Sequence, residues 1–179
     1  MMYRQWLLFL GLIVGLSVGT ANAQLLPNNN SLNAQSVERW MQSNRAMAPV
    51  MQLLDGLNPT AEALATFDQL PVAEQDQQIN NFLSQKHMLD AANRIANSYG
   101  WKSVGEYMRL STRLGNAIAA YFLTSDLAKL PEDQAQRLRE TSDPAILAVP
   151  DTDIAFIRVN EQPLQQYIQA YAAGRDNGN

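Results

Sequence analysis

Ser103-Val104-Gly105-Glu106-Tyr107 opens the stretch whose reading decides the fold. Downstream, Leu110, Leu114, Ile118 and Tyr121 follow Tyr107 at steps of three or four residues. That spacing places them on one face of a helix. Ser103 and Glu106 have capping-box spacing, so each side chain can satisfy a backbone N–H left free at the helix start. Just upstream, Tyr99-Gly100-Trp101 reads as a helix end and a tight turn. Gly100 can adopt the left-handed conformation there without a Cβ clash. Two helices therefore meet through a short glycine turn, with Tyr99 and Trp101 beside the joint.

Working outward, Pro71 to Tyr99 carries the stripe Ile79, Phe82, Leu89, Ala92 and Ala96, with Ser84–His87 as the place where it would break. Thr60 to Gln69 forms a short helix that turns Leu64 and Phe67 inward. Ser36 is expected to cap the first helix, which carries Val37, Trp40, Met41, Met47, Met51 and Leu54. Pro49 removes a hydrogen bond from it and predicts a kink or break near Ala48. On the far side, Pro131-Glu132-Asp133 opens a helix to about Glu140. Asp143-Pro144 and Pro150-Asp151 bracket the short apolar piece Ala145–Val149. Asp151 or Asp153 would cap the next helix, through Ile154, Phe156, Ile157 and Val159, the one β-branched cluster in the chain. A last helix, about Pro163–Ala173, ends at Gly174. The pattern predicts an all-α fold, an irregular or orthogonal bundle of about six or seven helices after a cleaved N-terminal signal peptide.

The signal peptide is read from Arg4, the apolar run Trp6–Val18 and the small residues of Ala21-Asn22-Ala23. A spanning helix needs about 20 apolar residues, more than this run supplies. There is no Arg-Arg pair and no cysteine after the small residues, so Sec-type cleavage after Ala23 is expected, with no lipid anchor there. Residues 1–23 are then signal peptide, 24–35 a flexible linker with Pro27 and Asn28-Asn29-Asn30, 36–174 one helical domain and 175–179 a disordered tail. Removing 23 of 179 residues leaves 156, enough for one core. Cleavage also removes Arg4 and no acid, which takes the net charge from −4 to −5. With a pI near 4.9, nucleic-acid binding is disfavoured, because it needs a basic surface. The chain has no cysteine, which excludes disulfides, a thiol nucleophile and thiolate-ligated metals.

Candidate chemistry is sparse. His87, the single histidine, stands three residues before Asp90, which could orient its ring on a shared helix face. No nucleophile motif accompanies it. Met47, Met51, His87 and Met88 are soft ligands that could take Cu(I), and equally methionines that fill an irregular core. Asp151-Thr152-Asp153 and Glu132-Asp133 sit where helix starts are expected, so capping is their default role. Walker, dinucleotide-glycine and HExxH motifs are all missing. Leu123-Thr124-Ser125-Asp126-Leu127 departs at its last position from the LTxxQ repeat of exported helical chaperones, and it occurs once. Glu106, Arg109 and Arg113 form a charged strip whose default reading is a solvated face. With Trp101 and Tyr107 close by, the sharper reading is an aromatic and arginine partner-binding face formed by Trp101, Tyr107, Arg109 and Arg113.

The sequence thus predicts a small soluble exported protein, periplasmic or secreted, that acts by binding an envelope protein or an apolar ligand. No catalytic, cofactor-binding or metal-binding residue is assigned, and no cofactor is expected. The alternative is a small periplasmic hydrolase that uses acidic residues or His87. A cleft gathering ionisable groups would favour the hydrolase; an apolar groove or an exposed aromatic patch would favour binding.

Overall fold

Nine helices and no strand make up residues 32–176, the part of the chain that the computed structural model describes. They are α1 (Ala34–Leu54), α2 (Ala61–Asp68), α3 (Val72–Gln85), α4 (Leu89–Ser98), α5 (Val104–Leu127), α6 (Glu132–Thr141), α7 (Pro144–Leu147), α8 (Asp151–Val159) and α9 (Glu161–Asp176). The expected signal peptide and the segment up to residue 31 lie outside the described residues, as do residues 177–179. Among the described residues no helix is long and apolar enough to cross a membrane.

The long helix α5 is the axis, in contact with α1, α3, α4, α7, α8 and α9. Its start follows the predicted cap. The Glu106 N–H donates to Ser103 Oγ at 3.0 Å, and Glu106 Oε2 accepts the N–H of Lys102, one residue before the cap, at 2.6 Å. Tyr107, Leu114 and Ile118 are buried, whereas Leu110 and Tyr121 are only partly so. Trp101 and Tyr107 point inward, 2% and 1% exposed, in an edge-on ring contact 5.4 Å between centroids.

The two corners flanking α4 use the same device. At Gly100 (φ 78°) the Gly100 N–H donates to the Asn97 carbonyl and the Trp101 N–H to that of Ala96. At His87 (φ 55°) the His87 N–H donates to Ser84 and the Met88 N–H to Leu83. Both are Schellman caps, with the left-handed residue just past the helix end. His87 therefore occupies a position that glycine usually fills. It sits between two helices, so it does not share a helix face with Asp90.

Several local expectations are corrected. The cap of α1 is Asn33, whose Oδ1 accepts the Ser36 N–H, so the helix starts two residues before Ser36. Leu32, placed by sequence in the linker, is buried. Pro49 does not break α1: Pro49 and Arg45 both lie on its exposed side, where water can satisfy the carbonyl that the proline leaves free. Met47 and Met51 fill the core on either side of it. Leu64 is exposed, whereas Phe67 is buried and anchors α2. Asp153 is not a cap but lies inside the first turn of α8, after the cap residue Pro150. Helix α9 runs through Gly174 to Asp176.

Two glycines in α5 have opposite surroundings. A Cβ on Gly105 would fall 1.9 Å from Asp76 Oδ1, whereas one on Gly115 would meet nothing within 4 Å. Gly105→Ala should therefore destabilise by about 1–3 kcal/mol, since Asp76 must be displaced. Gly115→Ala should stabilise by about 0.5–1 kcal/mol through lower chain entropy in a helix interior. Denaturant titration of the two variants reads both signs, and a loss on Gly115→Ala would place a neighbour where open space stands.

Candidate functional site

The side of α5 opposite its buried stripe forms the floor of an open groove. By helical rotation, residues 108, 109, 112, 113 and 116 point away from 107, 111, 114 and 118. Met108, Arg109, Thr112, Arg113 and Asn116 line a cleft of about 470 Å³. One wall comes from α2 and α3, with Phe67, Asp68 and Gln75. The other comes from α7 and α8, with Ala145, Ala148, Val149, Pro150 and Asp153. The lining mixes apolar surface with amides, a hydroxyl and charged groups.

Each wall is tied to the floor by an arginine. Arg109 grips Asp76 of α3 in a fork, Nη1 to Oδ1 at 2.7 Å and Nη2 to Oδ2 at 3.4 Å. Asp76 sits against the first turn of α5, where the Ser103 hydroxyl also donates to it at 3.5 Å and Gly105 makes room. A carboxylate there also meets the positive end of the helix dipole. On the other side, Arg113 Nε donates to Asp153 Oδ2 at 2.5 Å. Asp153 is 0% exposed, and its Oδ1 accepts the Leu32 N–H at 3.0 Å. Burying a carboxylate is costly unless its oxygens are matched in this way. Gln75 closes the α2 side: its Nε2 donates to the carbonyls of Phe67 at 3.2 Å and Leu70 at 3.1 Å.

The four residues singled out by sequence divide into two pairs. Arg109 and Arg113 lie on the groove floor, each about 30% exposed and each in an ion pair. The strip is thus not merely a solvated face. Trp101 and Tyr107 are on the opposite side of α5, inside the core, where Trp101 Nε1 donates to Ser43 Oγ and Tyr107 Oη to Asn44 Oδ1. They present no aromatic surface beside the arginines. Burial pushes the Tyr107 hydroxyl well above its ordinary pKa, in keeping with a neutral core group. His87 is not among the groove residues, and among the described residues no group of three or more His, Asp or Glu could hold a metal ion.

Sequence reasoning missed Thr112, Asn116 and Gln75, and it missed Asp68. Asp68 is the groove's titratable outlier: burial first, and the charge of Asp143 second, raise its carboxyl above the ordinary value of 3.8. A raised acid favours the folded state when protonated, so ionising Asp68 costs stability above its folded pKa, and the cost vanishes below about 3.8. Asp68→Asn should accordingly stabilise the protein at pH 7 and be neutral at pH 3. Paired denaturation curves at the two pH values check this, and a variant less stable at pH 7 would show that the ionised carboxylate is a favourable partner instead.

Set beside known proteins, the chain matches no family model, no curated protein and no solved structure.

Proposed function

We propose that this is an exported binding protein, delivered by the segment cleaved after Ala23, and that its groove over α5 receives an extended segment of an envelope protein. The observation that carries the reading is the shape and chemistry of the groove. A floor running from Met108 to Asn116 is about 12 Å long at 1.5 Å per helical residue, room for a few extended residues. Thr112, Asn116 and the two arginines offer hydrogen bonds to a backbone or to polar side chains, and Phe67, Met108, Val149 and Pro150 offer apolar contact. This mixture suits a peptide better than an apolar ligand, which favours an enclosed, mostly apolar pocket. Ion pairs already brace both walls, so the groove is preorganised and ordering it costs little on binding.

The hydrolase alternative draws on one observation, the raised carboxyl of Asp68 among other ionisable groups in a cleft. Acid–base chemistry also needs a second, available group. Asp153 has both oxygens engaged and no exposure, and Arg109 is forked onto Asp76. The groove's ionisable residues are mostly committed to its architecture, which favours binding.

Thr112 is exposed on the floor, so Thr112→Arg fills the groove without touching the core. A photo-crosslinking residue placed at Asn116 should capture one envelope partner in intact cells. Adding Thr112→Arg should reduce that capture at least tenfold at an unchanged melting temperature. Full capture by the blocked variant would move the partner site off this groove.

A further inference from the structure

The charges in and beside the groove do not cancel. Arg109 and Arg113 on its floor are answered by Asp76 and Asp153. That leaves two carboxylates, one from each wall. Asp68, the last residue of α2, lines one side. Asp143 caps α7 on the other, its Oδ1 accepting the N–H of the groove residue Ala145 at 2.8 Å. Both residues are open to solvent, and neither enters an ion pair among the described residues. We propose that the peptide segment received by this groove carries a lysine or arginine, and that its cationic head seats between Asp68 and Asp143.

Asp68 is placed against the stability of the free protein. It ends a helix, where the dipole disfavours an acid, and the last turn of α2 holds no basic residue. The groove walls strip water from its carboxyl, and the charge of Asp143 adds repulsion, which together raise it. A cation supplied by the partner would answer both carboxylates at once and turn that repulsion into attraction. The groove also suits the rest of such a side chain: Phe67, Met108 and Val149 offer apolar surface to the stem of a lysine or arginine while its head stays at the opening. A bare metal ion fits less well, because among the described residues no group of three or more His, Asp or Glu could hold one. At longer range, the net charge of −4 favours the approach of a basic segment over an acidic one. The inference rests on the groove being a peptide-binding surface and names the side chain its partner must present.

A library of random short peptides displayed on phage, panned against the full chain, tests this. Groove binders are the clones lost on Thr112→Trp, an uncharged block of the floor that does not select against basic sequences. These clones should be enriched in lysine or arginine. In the strongest one, made as a synthetic peptide, replacing the basic residue by glutamine should weaken binding to the native protein about tenfold, but less than about twofold on the double variant Asp68→Asn with Asp143→Asn. Both changes keep side-chain shape, and Asp143→Asn keeps a capping group, so the double variant folds. Glu62→Gln with Asp90→Asn removes the same charge from exposed positions outside the groove lining, and there the full loss should persist. Groove binders without basic enrichment, an equal loss on the Asp68 and Asp143 variant, or a loss that shrinks just as much in the Glu62 and Asp90 control would overturn the inference and leave the groove reading standing. A selection with no clone sensitive to Thr112→Trp would overturn both.

Discussion

A ladder of buried hydrogen bonds between α1 and the start of α5 holds the rest of the structure in place. Trp40 Nε1 donates to Ser111 Oγ at 2.5 Å, Trp101 Nε1 to Ser43 Oγ at 3.0 Å, and Tyr107 Oη to Asn44 Oδ1 at 3.0 Å. Ser43, Asn44 and Ser111 are polar groups buried in an otherwise apolar core. Each is matched to a ring that supplies both apolar area and one donor. Such an arrangement tolerates only one register, because sliding α1 along α5 by one turn would leave several buried groups unpaired at about 1–3 kcal/mol each. Arg39 extends the ladder to the glycine corner. Its guanidinium lies 3.9 Å over the Trp101 ring, and its Nη1 donates to the Gly100 carbonyl at 2.7 Å. Trp40 also meets Tyr167 edge-on at 4.8 Å, which brings α9 onto the same support.

The groove follows from that register. With Tyr107 and Ser111 bonded to α1, and Leu114 and Ile118 on the same buried side, the first half of α5 turns 108, 109, 112, 113 and 116 the other way. Only short helices are available to cover that side, and they stand apart. Arg109 then fixes α3 through Asp76, and Arg113 fixes α8 through Asp153. The same carboxylate that secures α8 receives the backbone of Leu32. Core register, groove walls and the anchoring of Leu32 are thus linked through one helix.

Much of this frame was legible in the sequence for local reasons. Capping at Ser103, the turn at Gly100 and the proline-led start of α6 depend on neighbouring residues alone. Tyr107 shares a helical stripe with Leu114 and Ile118, so its burial could have been read from spacing; by the same count it stands roughly 200° around the helix from Arg109, which rules out a joint surface. The roles of Asp76, Asp153 and Gln75 were not legible. Their partners lie 33, 40 or 121 residues away, or are backbone carbonyls that no pattern marks. The left-handed turn at His87 was hidden too, because nothing local demands a glycine conformation from a histidine. Groove residues such as Thr112 and Asn116 are ordinary surface types, and they gain meaning only from the walls beside them.

The claim on which the account depends is that the buried hydrogen bonds of the α1–α5 ladder, and not apolar packing alone, hold α1 in register against α5. A double-mutant cycle on Trp40→Phe and Ser111→Ala, read by denaturant titration, tests it most directly. Each single change should cost more than about 1 kcal/mol, the second because it strands a buried indole N–H. The pair should fall short of the sum by about 0.5–3 kcal/mol. Costs that add to within a few tenths of a kcal/mol would contradict the account, since the register of α1 against α5 would then rest on apolar packing alone.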